Sequence, residues 1–280
     1  MAPVNHGVRR NPDIEEATNL YVIHPLSARL VPLLARIGVH PNTVSIAGAL
    51  CGVAAGVAYY QHLIYLGFLL MMAWHVFDGA DGQLARLTNK MSPSGQVIDG
   101  VCDYVAFGAI YLAVALTLLR THDGAIVLLV VAAAASHAIQ AAAFERQREA
   151  YLCWNKMECG SPPSTAKLSA SAGILMRGYQ SVQRMFMPLP ENVMRALTER
   201  AAAGEAAAIG TIYRETYRRP VKLWSLLSAN NRSVAIFVAF FFNWPEGYLW
   251  FEAVALNLLM LGLLQINAAA AARVRQRAAV

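Results

Sequence analysis

Charge is scarce in this sequence. Only 14% of its 280 residues are Asp, Glu, Lys or Arg, while 57% are hydrophobic. A soluble domain carries about a quarter charged residues, so the composition points away from a water-soluble fold and towards the membrane. Cysteine is scarce too. Cys51, Cys102, Cys153 and Cys159 form no C-x-x-C pair, which argues against a zinc site and against a disulfide framework. Residues 1–18 contain no apolar core of the kind a secretory signal needs, so the apolar segments are expected to act as their own insertion signals. The net charge of +6 lies beside and between apolar runs. That placement fits anionic lipid and membrane orientation, and no nucleic-acid partner is expected.

What the chain does have is apolar periodicity. Leu20, Ile23, Leu26, Leu30, Leu33, Leu34 and Ile37 recur at spacings of three and four, alongside Glu15, Glu16, Arg29 and Arg36. This predicts an amphipathic helix within 13–37, lying on the cytosolic membrane surface or packing as an ordinary helix. His40-Pro41-Asn42-Thr43 reads as a helix start. Spans are then expected at roughly 42–61, 63–87, 95–119, 125–144, 231–244 with its lead-in, and 247–270. The fifth is short of the roughly 20 apolar residues a crossing needs. Gly48, Gly52 and Gly56 form a small-residue stripe on the first span, suited to internal packing or to a homodimer.

The loops orient these spans. Gln61-His62, Thr121-His122-Asp123 and Pro245-Glu246 carry no Lys or Arg. The N-terminus, the 87–94 loop, the 145–230 segment and the tail with Arg273, Arg275 and Arg277 carry nearly all the basic residues. The positive-inside rule puts those four regions in the cytosol. The polar 145–230 segment, with Pro162-Pro163 and a helical stretch near 190–208, is expected to form helices on the cytosolic surface. The predicted architecture is an all-α polytopic membrane helix bundle of six transmembrane helices plus an N-terminal amphipathic surface helix. Its organisation is a cytosolic N-terminus over 1–41 and a six-span catalytic domain over 42–280.

One stretch breaks the apolar pattern. Asp78 and Asp81 stand three apart at the end of the second span, and Asp99 and Asp103 stand four apart at the start of the third. Each spacing puts a pair on one helix face. The short link between the helices makes them antiparallel neighbours, so the two faces are expected to meet. Carboxylates are expensive in a span, at about 2.5–3.5 kcal/mol each at full depth, and four together repel. An all-oxygen set of this kind suits a hard divalent cation, Mg²⁺ or Mn²⁺, and four carboxylates are enough for two ions. Gly79, Gly82 and Gly95 leave backbone uncovered for the close approach of a phosphate. Arg86, one turn after Gly82, can hold that phosphate.

These residues resemble the CDP-alcohol phosphotransferase family, whose pattern is D-x2-D-G-x2-A-R-x8-9-G-x3-D-x3-D. Here the pattern falls on Asp78, Asp81, Gly82, Ala85, Arg86, Gly95, Asp99 and Asp103. The resemblance implies an integral membrane transferase of phospholipid synthesis, in which an alcohol displaces CMP from a CDP-linked donor. It implies that Asp78, Asp81 and Asp99 ligate metal and that Asp103 joins them or acts as base, with Asp99 and Asp103 the catalytic pair. Asp81, Gly82, Ala85, Arg86 and Gly95 would seat the nucleotide, and Asn42 in His40-Pro41-Asn42 would sit near the substrate. One partner, donor or acceptor, is a lipid, and a homodimer is common in the family. The expected location is the cytoplasmic (inner) membrane if bacterial, with the site facing the cytosol.

The run from Ala85 to Asn89, with Ser92-Pro93 and Cys102-Asp103, looks like the branch that donates a CDP-linked head group to a lipid alcohol. That branch usually has His where this chain has Gly100. The other branch, with CDP-diacylglycerol as donor and a soluble alcohol as acceptor, usually has Arg where this chain has Tyr104 if the acceptor bears a phosphate. His75, one turn before Asp78, is either a brace for it or a bundle histidine with its own partner. Arg218 and Arg219 are either substrate-attracting or a plain basic flank. Two other classes compete. An aspartate-rich intramembrane prenyltransferase would need two separated aspartate motifs. A cation channel or scaffold would need carboxylates spread along a pore. Only the leading reading requires a cytidine nucleotide.

Overall fold

The computed structural model describes residues 11, 13–156 and 183–279. The chain divides into two compact units. The first holds the chain up to Ala134 together with Ala229–Ala253, and the second holds Ala135–Ser228 and Val254–Val280. No strand occurs among the described residues, as the all-α expectation requires.

In the first unit a π-helical turn, Asn19–Ile23, leads into α1, His24–Arg36. The helix stops at Gly38, whose φ of +71° lets Val39 N–H return to the Leu34 carbonyl at 3.1 Å. His40 then caps α2, Pro41–Tyr60, its imidazole accepting from Asn42 N–H at 3.3 Å with Pro41 in the first turn. One face of α1 is buried: Ser27 donates to the Val76 carbonyl at 2.8 Å, and Val31 packs with Val44, Ala80 and Leu84. Leu26, Leu33 and Ile37 are exposed. The helix therefore packs on its neighbours and still keeps an apolar face open.

The centre of this unit is α2, which runs against both α3, Ile64–Leu87, and α4, Pro93–Leu118. Its glycines make this possible. A Cβ on Gly52 would lie 2.3 Å from the Ala106 Cβ, and one on Gly56 would lie 2.7 Å from the Ala109 carbonyl oxygen, both on α4. A Cβ on Gly48 would lie 3.1 Å from the Phe77 Cβ on α3. The stripe is thus used inside the unit. Side chains of α3 and α4 meet, as expected of neighbouring helices, while most of their backbone packing is with α2. They converge because both lean on α2. Trp74 and Phe107, edge to face at 5.1 Å, join them below the site, and Tyr59 meets Phe240 at 4.8 Å on the other side of the core.

Turn chemistry fixes the α3–α4 link. Asn89 takes φ 54°, and Lys90 N–H closes on the Ala85 carbonyl at 2.9 Å. Ser92 Oγ then caps α4 by accepting from Gly95 N–H at 3.0 Å, with Pro93 in the first turn. The unit is completed by α8, Ala229–Phe241, and by the start of α9, Pro245–Arg277, which carries a π-helical turn at Phe251–Ala255. Arg232 Nε donates to Glu252 Oε1 at 2.9 Å, with both side chains almost wholly buried.

The second unit takes most of α5, Ile126–Lys156, then α6, Glu191–Arg200, α7, Ala206–Trp224, and the rest of α9. Gly204, at φ 105°, breaks the helix expected near 190–208 into α6 and α7. Asn267 ties the unit together, accepting from Trp224 Nε1 at 3.2 Å and donating to Gln147 Oε1 at 2.8 Å. Pro162-Pro163 and Cys159 lie outside the described residues. Cys51 and Cys102 are free thiols. Cys153 is disulfide-bonded, which corrects the reading that no cysteine pairs. C-x-x-C spacing reports metal and redox motifs, whereas a disulfide depends on distances in the fold.

Among the described helices, α2, α4, α5 and α9 are long and apolar enough to cross a membrane by length and composition. The expected count of six is not reached on those grounds. Asp78, Asp81 and Arg86 lower the hydropathy of α3, and the 13 residues of α8 extend about 20 Å, short of a hydrocarbon core of about 30 Å.

Candidate metal and nucleotide site

The last turns of α3 and the first turns of α4 hold the four aspartates. Asp78, Asp99 and Asp103 are half-buried, and each offers one carboxylate oxygen within 4.8 Å of the other two. Two unit charges at that separation repel by about 3.5 kcal/mol at an effective dielectric constant of about 20. Three carboxylates so placed could hold a cation. Among the described residues this is the one such cluster of acidic, histidine or cysteine ligands.

Asp81 is held differently. It is only 5% exposed, and Ser45 Oγ on α2 donates to its Oδ2 at 2.5 Å. Its carboxyl feels the charges of Asp78 and Asp99. The predicted quartet is therefore a triad open to one side, with a fourth carboxylate anchored from a third helix.

The glycines divide by role. At Gly82 an added Cβ would meet the Arg86 guanidinium, with Nη1 at 3.5 Å, so the cation lies folded against that turn. At Gly95 it would meet Ser92 Oγ at 3.1 Å and Asn42 Oδ1 at 3.4 Å. The α2 start and the α4 start therefore meet, and Asn42 faces Gly95. At Gly79 it would lie 2.8 Å from Ser27 Oγ of α1. Gly79 thus lets a helix approach, which corrects its reading as an opening for phosphate. Ala85 is half-buried between Gly82 and Arg86, and its carbonyl receives the helix-ending bond from Lys90.

His75 does not reach towards Asp78. It is buried and hydrogen-bonds Ser233 Oγ on α8 at 2.8 Å, as a bundle histidine does. Arg218 and Arg219 are exposed on α7, in the second unit.

Sequence reasoning missed Ser45, Arg232 and Glu252. Ser45 stands three residues before Gly48, on the small-residue face of the first span, and that register was the available signal. Arg232 and Glu252 are ionisable residues inside apolar runs, which alone marks them for attention.

Comparison with known proteins bears on the same stretch. The sequence model described as CDP-alcohol phosphatidyltransferase matches residues 38–190. A phosphatidylinositol phosphate synthase of Mycobacteroides abscessus is 33% identical over 92 residues, which cover 32% of this chain and 40% of that protein. An archaetidylinositol phosphate synthase of Pyrococcus horikoshii is 31% identical over 88 residues, covering 31% of this chain and 47% of that one. A Dictyostelium discoideum protein described as an uncharacterized CDP-alcohol phosphatidyltransferase class-I family protein is 27% identical over 89 residues, 28% of this chain and 22% of its own. The chain therefore spans less than half the length of each of these relatives. No solved structure matches it.

Proposed function

The chain belongs to the CDP-alcohol phosphatidyltransferase family, and on that premise we propose that it displaces CMP from a CDP-linked donor with an alcohol, forming a phosphodiester lipid. The observation that carries this reading is the convergence of Asp78, Asp99 and Asp103 within 4.8 Å from two helices. The donor set fits a hard divalent cation, since every ligand is a carboxylate oxygen. Asp78, Asp99 and Asp103 would hold it, with Asp81 contributing its remaining oxygen towards a second. When bound, Mg²⁺ or Mn²⁺ would neutralise the pyrophosphate and polarise its phosphorus.

The chain's own groups then have separate tasks. The Arg86 guanidinium, laid over Gly82, binds a phosphate oxygen and orients the donor. Gly82, Ala85 and Gly95 seat the nucleotide against bare backbone, and Asn42 closes the same end beside Gly95. The alcohol oxygen attacks the distal phosphorus, a new O–P bond forms, and the P–O bond to CMP breaks. Asp103, the last carboxylate of the cluster in the chain, takes the hydroxyl proton. We place this site on the cytosolic side of an integral membrane protein, on the strength of the basic flanks in the sequence, and expect a homodimer from the family resemblance.

Two branches remain as readings. The names of the relatives describe placing a phosphatidyl or archaetidyl group on an inositol phosphate, which supports a lipid-borne CDP donor here. Tyr104 after the last aspartate, and the stretch from Ala85 to Asn89, support a CDP-linked head group given to a lipid alcohol. CMP release by the purified chain separates them. CDP-diacylglycerol is crossed with soluble alcohols and their phosphates, and CDP-choline, CDP-ethanolamine and CDP-inositol with diacylglycerol and ceramide. Release with one pair, abolished by EDTA, is expected and names the branch. Absence of release from every pair would overturn the reading.

A further inference from the structure

Ser45 belongs to none of the positions that carry the family pattern, yet it makes a short polar contact in the site. Its hydroxyl has one proton and two acceptors in reach, Asp81 Oδ2 at 2.5 Å and the Pro41 carbonyl at 3.4 Å. The first is much the shorter and takes the proton. Both partners are buried, at 6% and 5% exposure, so water competes poorly for the bond. The contact also depends on helix approach. Gly48, one turn further along α2, admits the Phe77 side chain so closely that a methyl there would lie 3.1 Å from it. That approach brings the Ser45 hydroxyl onto the α3 face that carries Asp81.

We propose that Ser45 is the positioning residue for Asp81. It pins one carboxylate oxygen and so turns the other towards Asp78 and Asp99. This rests on the metal reading above. The triad of Asp78, Asp99 and Asp103 is carried by α3 and α4. Asp81 is the member whose aim is set from α2, so the fourth ligand is coupled to the packing of that helix. Loss of the hydroxyl removes the hold from α2 and leaves Asp81 to its contact with Asp99, while the triad keeps its own residues. Partners that orient metal ligands typically contribute 10- to 100-fold to metal affinity.

The test uses the full chain in detergent micelles, with Mn²⁺ binding followed by electron paramagnetic resonance. The expected result is that Ser45→Ala weakens the looser Mn²⁺ site at least about 10-fold, while Ser45→Thr, which keeps the hydroxyl, stays close to the wild type. A merely structural loss would not be repaired by metal, so Mn²⁺-dependent CMP release gives a second readout. Excess Mn²⁺ should restore most of the turnover of Ser45→Ala. Wild-type Mn²⁺ affinity in Ser45→Ala would overturn the inference and leave the metal reading standing. So would weakened binding that Ser45→Thr fails to rescue. Absence of Mn²⁺ binding by the wild type would overturn both.

Discussion

Two of the places where the first unit draws charged side chains inward are built on opposite plans. At Arg232 and Glu252 the charges cancel: one cation and one anion meet at 2.9 Å, each almost wholly buried. At the aspartate cluster like charges gather. Three half-buried carboxylates converge within 4.8 Å, a fourth lies beside them, and the Arg86 guanidinium rests one turn away against Gly82. A sealed, balanced pair holds helices together. A cluster of like charges, on the function proposed above, is a place for a cation and a phosphate. The same cost of burying charge thus reads as architecture in one place and as function in the other.

This contrast can be broken by experiment, most strongly at the reaction itself. Asp103→Asn should lower CMP release by about 10²- to 10⁴-fold, the range of a general base, with the thermal unfolding temperature in detergent unchanged. Near-normal turnover in that variant would remove Asp103 from the chemistry. Next comes the sealed pair. Arg232→Met should lower stability by about 3–5 kcal/mol by leaving Glu252 buried and unpaired, and Arg232→Met with Glu252→Leu should recover most of it. Equal stability of the single and double variants, measured by chemical denaturation, would contradict the lock.

Smaller effects sharpen the same comparison. Arg86→Ala should weaken CDP binding by about 1.5–3 kcal/mol, the range for a hydrogen bond to a charged group. Calorimetry showing unchanged affinity would count against its placement on the phosphate. The smallest effect is the most diagnostic of the gathered like charges. In metal-free protein Asp78→Asn should leave the unfolding temperature unchanged or slightly raised, because it relieves repulsion. A clear fall would mean that the cluster also serves as a structural lock.

Much of this was legible in the residues. The 3- and 4-residue spacings of Asp78–Asp81 and Asp99–Asp103, the Pro93 start and the short link between helices were enough to expect a carboxylate site. Local rules decided those features, and local rules are what a sequence displays. Contacts across helices were not legible. Nothing in the spacing says that α3 and α4 meet mainly through α2, since that depends on which face of α2 carries Gly48, Gly52 and Gly56 and on what each glycine admits. For the same reason Gly79 read as an opening when Ser27 fills it, and the sequence could not choose for His75 between a brace for Asp78 and a bundle histidine, which Ser233, 158 residues away, makes it. Ser45 was passed over because a serine inside an apolar run has no motif of its own. Only the partner 36 residues on gives it meaning.

The central claim is that the cluster is a metal-dependent site for a cytidine nucleotide. The direct measurement is calorimetric titration of CDP into the purified chain, with Mg²⁺ or Mn²⁺ and again with EDTA. The account predicts binding that requires the metal, is lost in Asp99→Asn, and is not reproduced by ADP. Failure of CDP to bind with either metal, or equal binding in EDTA, would contradict it.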